Sequence, residues 1–134
     1  MDTLTLPVNL IEQMRAHILA CLPNEACGLI GGVNGKGSLV MPIPNTANSP
    51  SEFFMHPVAL LQALRTFESQ ALDLIAIYHS HPSGPPTPSQ TDLERFQYPG
   101  SAYAIWAPSP DGDWQLSIFW IDNGQFSKIR LESS

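Results

Sequence analysis

The stretch His79-Ser80-His81-Pro82-Ser83-Gly84-Pro85-Pro86-Thr87-Pro88-Ser89-Gln90-Thr91-Asp92 decides how the rest of the chain is read. It follows the apolar run Leu74-Ile75-Ala76-Ile77-Tyr78, which reads as a buried strand, and it closes on Ser89-x-x-Asp92, the pattern of a helix start. Side chains at i and i+2 of a strand share a side. His79 and His81 are therefore expected to project together from the strand's end, with Ser80 facing away. A carboxylate in the first turn of the next helix, Asp92, can close on them. Two imidazoles and one carboxylate with a fourth position open make the ligand set of a catalytic zinc centre. A His-x-His pair alone is weak ground for such a site, and Ser89-x-x-Asp92 also has a structural use. A serine N-cap and an acid three residues on form a capping box. The two uses compete for the Asp92 side chain.

Upstream of this stretch, Leu4 and Leu6 alternate with Thr3 and Thr5 as a short strand, and Pro7 introduces a helix over residues 8 to about 22. Leu10, Ile11, Met14, Ile18 and Leu19 form its apolar stripe, Pro23 ends it, and His17 flanks the stripe. Glu25-Ala26-Cys27-Gly28-Leu29-Ile30-Gly31-Gly32-Val33 reads as a strand headed by an acid, a solvated strand end when taken alone. Asn34-Gly35 signals a tight turn into a returning strand over 38–43. Residues 44–51 form a loop, and 52–55 a short strand or edge. His56-Pro57 starts a second helix, with Val58, Leu60, Leu61, Leu64 and Phe67 facing inward.

Downstream, a third helix is expected over about 89–96, then strands over 101–107, 114–122 and 126–131, with turns at 108–113 and Asn123-Gly124. Helices wrapped around a mixed sheet with an antiparallel C-terminal half give an α/β (α+β mixed) fold. No linker or repeat divides residues 1–134, which read as one domain.

Composition limits the function classes. The 134 residues carry a net charge of −6 and lack Lys and Arg clusters, which argues against nucleic acid. Charged residues are 13% of the chain, about half the usual share, and 13 prolines point to ordered, loop-rich structure. No apolar run is long enough to span a bilayer, and the N-terminus does not read as a signal peptide. Cys21 and Cys27 form neither a disulfide framework nor a zinc-knuckle spacing, so they are expected as reduced, buried thiols of a cytoplasmic protein.

Taken together, Glu25, His79-Ser80-His81-Pro82, six intervening residues and Ser89-x-x-Asp92 resemble the signature of the JAMM/MPN-plus zinc metalloprotease family, in its short prokaryotic form. Every motif position is filled. The resemblance extends to Glu25-Ala26-Cys27-Gly28-Leu29-Ile30-Gly31-Gly32, to His56-Pro57 and to the strand before His79, and so covers essentially the whole chain. It implies a mixed β-sheet flanked by about three helices, of the cytidine-deaminase-like type. It also implies one catalytic Zn²⁺ held by His79, His81 and Asp92. Glu25 would then be the general base that receives the proton of the metal's water and passes it to the leaving amine. Ser89 would donate to the oxyanion, and Ser80 would serve positioning only.

The implied reaction is hydrolysis of the amide or isopeptide bond after the C-terminal Gly-Gly of a ubiquitin-like or sulfur-carrier protein. A sulfur carrier bearing a C-terminal amino acid is the favoured substrate and a lysine isopeptide the alternative. The tail is expected to lie beside an exposed strand, with residues 45–55 and 83–88 as candidate channel walls. Two other classes fit the sequence less well. A non-catalytic MPN scaffold is disfavoured by the complete ligand set. A non-haem iron oxygenase is disfavoured by the order of carboxylate and histidines.

Overall fold

The structure, a computed structural model, describes residues 1–134. Strand β1 (Thr3–Leu6) buries Leu4 and Leu6 completely, as its alternation requires. Helix α1 (Val8–Cys21) buries Leu10, Met14 and Ile18, each four residues from the last. Leu19, expected inward, is 44% exposed because it lies about 100° round the helix from Ile18.

Strands β2 (Cys27–Val33) and β3 (Lys36–Ile43) join through Asn34 and Gly35, both with positive φ (53° and 73°), the conformation a two-residue hairpin turn demands. β2 begins two residues later than the sequence suggests. Ala26 N–H donates to Ser80 Oγ at 2.8 Å and not to a ladder carbonyl. Glu25 is turned toward the next loop, its N–H donating to Ser49 O (2.9 Å) and its carbonyl accepting from Asn45 Nδ2 (3.0 Å). β3 starts at Lys36, two residues earlier than expected.

His56 caps helix α2 (Pro57–Ser69), its Nδ1 accepting from Ala59 N–H at 3.2 Å. The inward stripe is Leu60, Ala63, Leu64 and Phe67. Val58 and Leu61, expected to face inward, are 56% and 48% exposed, one helical step off that stripe. Residues 52–55 form no strand beyond the single antiparallel bridge between Asn45 and Met55.

Strand β4 (Asp73–Ser80) runs two residues beyond Tyr78 and carries His79 within it. Helix α3 (Gln90–Arg95) is followed by β5 (Ala102–Pro108), β6 (Trp114–Asp122) and β7 (Gln125–Ser133). The strand order is β1-β3-β2-β4-β5-β6-β7, and β1 pairs in parallel with both β3 and β7, closing the sheet into a barrel. The last three strands are antiparallel, as expected, whereas β4 and β5 are parallel. A mixed sheet with three helices was legible; its closure through a four-residue strand was not.

Two apolar layers hold the sheet. One joins Leu4, Leu6, Ile30, Ala76, Tyr78 and Trp106 to α1. The other joins Cys27, Leu29, Ile77, Tyr103 and Ile105 to Phe67 of α2. Each fully buried large side chain contributes about 1.5–3 kcal/mol. The Tyr78 ring lies directly across Gly28, where any Cβ would collide with it, and its hydroxyl reaches His17 Nδ1 at 2.7 Å. His17 thus flanks the stripe with a definite partner. Cys21 and Cys27 are free thiols. Cys27 is fully buried, its Sγ donating to Ile43 O at 3.4 Å, while Cys21, expected to be buried, is partly exposed.

Candidate active site

His79 and His81 emerge on the α2 face at the end of β4, their Nε2 atoms 2.8 Å apart. Asp92 Oδ2 lies 3.3 Å from His79 Nε2 and 3.1 Å from His81 Nε2. The same oxygen accepts the Ser89 N–H at 2.9 Å while Ser89 Oγ accepts the Asp92 N–H at 3.0 Å, a complete capping box. The expected competition between the two uses of Asp92 does not arise, because the cap holds the carboxylate in the position from which it faces both imidazoles. A ligand atom of Glu25 lies within 4.8 Å of one on each histidine. Glu25, His79, His81 and Asp92 are all buried.

Hydrogen bonding fixes which lone pairs face inward. His81 Nδ1 bonds Pro85 O at 2.8 Å. A carbonyl only accepts, so Nδ1 carries the hydrogen and a neutral His81 presents the bare Nε2 to the site. Its two nearest neighbours there are an imidazole nitrogen and a carboxylate oxygen. Three atoms with lone pairs at 2.8–3.3 Å need a proton or a cation between them. A tetrahedral zinc site with bonds of about 2.0–2.1 Å has donor–donor edges of about 3.3 Å. The donor set and its spacing fit that ion.

Burial raises the Glu25 carboxyl to about 8, helped by the charges of Asp92 and Glu52 and opposed by His81. Its Oε1 is buried without a hydrogen-bond partner. Burial also lowers His79. For His81, burial is outweighed by the Asp92 carboxylate and the Pro85 carbonyl, and its pKa is raised. For Asp92, too, burial is outweighed: hydrogen bonds from the two imidazoles hold its carboxyl well below the usual range.

Ser80 faces away from the cluster and ties β4 to the residue after Glu25 through Ala26 N–H. Two residues that the sequence did not single out pack against the cluster. Phe53 and Tyr103 lie against the His79 ring, with centroids at 4.7 and 4.9 Å. Tyr103 reaches it because β5 pairs in parallel with β4 and sets Ile77 opposite Tyr103. Strand neighbours of this kind leave no mark on a single sequence.

A pocket of about 300 Å³ adjoins the cluster. One wall is residues 51–55, inside the expected stretch. The other is α3 with Phe96, Gln97 and Tyr98, and not the 83–88 loop. That loop serves His81 through Pro85 instead. Arg95 spans the pocket's mouth, 3.7 Å from Glu52 Oε2 and 4.4 Å from the Phe54 ring centroid.

A buried His-His-Asp cluster with an adjacent buried glutamate thus stands on a mixed sheet flanked by three helices, a donor set that could hold a metal ion. Residues 7–121 match the family described as prokaryotic homologs of the JAB domain. The chain belongs to this prokaryotic branch of the JAMM/MPN family.

The chain is 42% identical over 96 residues to a probable TtuB-protein conjugate cleaving protease of Thermus thermophilus, covering 71% of this chain and 64% of that protein. It is 37% identical to a desampylase of Haloferax volcanii (67% and 66% covered) and 29% identical to a CysO-cysteine peptidase of Mycobacterium tuberculosis (76% and 71%). The matches thus span just under two thirds of the length of the first two relatives. A solution structure from Desulfitobacterium hafniense superposes with a TM-score of 0.86 at 29% identity, covering 98% of this chain and 92% of the other. A JAB1/MPN domain protein of Archaeoglobus fulgidus shares the fold at a TM-score of 0.62 and 19% identity over the full length of both. No helix is long and apolar enough to cross a membrane.

Proposed function

We propose that the protein is a zinc-dependent peptidase that hydrolyses the amide or isopeptide bond after the C-terminal Gly-Gly of a small ubiquitin-like or sulfur-carrier protein. The observation that carries this reading is the convergence of His79 Nε2, His81 Nε2 and Asp92 Oδ2 within 2.8–3.3 Å beside a buried Glu25. His79, His81 and Asp92 would hold the ion, which when bound supplies Lewis acidity and a water acidified to a pKa of about 7.

Glu25 is suited to the proton work. Its buried carboxyl lies within 4.8 Å of a ligand atom on each histidine, where a bound cation would favour the ionised form that accepts a proton from the attacking water and returns it to the leaving nitrogen. The new C–O bond forms at the glycine carbonyl, the C–N bond breaks, and the products are a free Gly-Gly carboxylate and an amine. The Ser89 oxygen accepts from Asp92 N–H, which leaves its own hydrogen available to the developing oxyanion.

The pocket wall supports strand-like binding of a tail. On residues 52–55 the groups of Phe54 and His56 are turned to the neighbouring loop: Thr46 N–H donates to Phe54 O at 2.8 Å and His56 N–H to Pro44 O at 2.9 Å. The backbone groups of Phe53 and Met55 have no partner. In a barrel without open edges, this is an edge beside the site to which an extended tail can add. Two terminal glycines suit the crowded approach to His79 between Phe53 and Tyr103.

The short connections around the motif favour a sulfur carrier with a C-terminal amino acid as substrate. A lysine isopeptide is the second reading, favoured by the conjugate-cleaving name of the relative at 42% identity. Incubation of the zinc-loaded protein with both kinds of adduct, followed by intact mass spectrometry, tests the proposal and separates the substrates. Loss of neither adduct, with zinc bound and the fold intact, overturns it.

A further inference from the structure

The two imidazoles are not held alike. His81 is oriented by its Nδ1–H bond to Pro85 O, whereas His79 Nδ1 is fully buried with no hydrogen-bond partner. Metal-binding histidines almost always donate that second nitrogen to an acceptor, which sets the ring's orientation. For His79 that job falls to packing. Its ring lies between Phe53, at 4.7 Å and 31°, and Tyr103, at 4.9 Å and 46°. Tyr103 is 4% exposed, is braced from its other side by Phe96 at 5.7 Å, and lines the same pocket as Asp92.

Resting on the zinc-site reading above, we infer that Tyr103 is a positioning residue whose ring, packed against His79, fixes the plane of that imidazole. It takes over the orienting role that a hydrogen bond at His79 Nδ1 would otherwise play. It acts through His79, so its signature is metal affinity and ligand geometry ahead of turnover.

The test compares wild type, Tyr103→Phe, Tyr103→Leu and Phe96→Leu, the last loosening the same packing without touching either ligand. Zinc affinity is measured by competition with a chelating dye, and ligand geometry by the visible spectrum of the cobalt-substituted protein. Tyr103→Phe, which keeps the ring, is expected to bind zinc within twofold of wild type, and Tyr103→Leu about 10- to 100-fold more weakly, the range for groups that orient metal ligands. The cobalt bands shift in Tyr103→Leu alone, and Phe96→Leu stays within twofold of wild type. Wild-type affinity and spectrum in Tyr103→Leu, or an equal loss in Phe96→Leu, overturns the inference. A wild-type protein that binds no zinc would instead sink the metal-site reading itself.

Discussion

Asp92 Oδ2 accepts the Ser89 N–H at 2.9 Å and faces His81 Nε2 at 3.1 Å, so a single carboxylate oxygen starts helix α3 and completes the histidine cluster. The helix start is the device that aims the ligand. Asp92→Asn retains an oxygen that can accept the Ser89 amide but loses the charge that attracts a cation. It is expected to melt within about 1 kcal/mol of wild type, the scale of a helix cap, yet to bind zinc at least about tenfold more weakly. Asp92→Ala loses both functions. Thermal denaturation and dye competition on the two variants check this; equal zinc binding in Asp92→Asn and wild type would exclude Asp92 as a ligand.

Glu25→Gln is nearly isosteric and removes only the ability to take a proton. Zinc content by elemental analysis should match wild type, while kcat on a Gly-Gly adduct falls by about 10²–10⁴, the usual contribution of a positioned general base. Near-normal turnover would assign the proton shuttle elsewhere.

The two histidines and the carboxylate were legible because each sits at a fixed offset in a local pattern: i and i+2 on one strand, N-cap and third helical residue on α3. Glu25, a solvated strand end when taken alone, entered only through the family resemblance. What was illegible is contact between strands distant in sequence. Nothing in residues 101–107 announces that β5 lies parallel to β4 and sets Tyr103 beside His79. Likewise the four residues of β1 carry no sign that they pair with both β3 and β7. The helix stripes erred at Leu19, Val58 and Leu61 for a simpler reason. Apolar side chains on a small protein's surface are common, and spacing alone does not say which of two adjacent positions turns inward.

Ser80 connects β4 to the segment that presents Glu25, through Ala26 N–H at 2.8 Å. Ser80→Ala leaves that amide buried and unpaired, a loss of about 1–3 kcal/mol. Because Ser80 faces away from the cluster, zinc affinity should change little. The Glu25 backbone sits one residue from the broken bond, so kcat should fall while KM holds. A stability loss without any change in kcat would show that Ser49 O and Asn45 Nδ2, which bond Glu25 from the other side, are sufficient to place it.

The metal-free protein should lose stability as the pH rises from mildly acid to mildly alkaline, and Glu25 is the main reason. Burial raises its pKa from 4.5 to about 8 on folding. A group raised on folding contributes stability that is fully present below its unfolded value and is lost as the pH climbs through its folded value. His81, also raised, acts in the same direction; His79, lowered by burial, acts against it. Substitution by glutamine removes the Glu25 contribution alone. In the presence of a chelator, the melting temperature of Glu25→Gln relative to wild type should therefore rise steadily between pH 5 and about 8.5, the window that brackets the raised pKa. Added zinc should reverse the wild-type trend, because protons compete with the metal for His79 and His81 at the acid end. A difference between the two proteins that stays flat across this window would mean that Glu25 is already ionised in the folded, metal-free state, and the buried carboxyl would then carry its charge without a neutral form to lose.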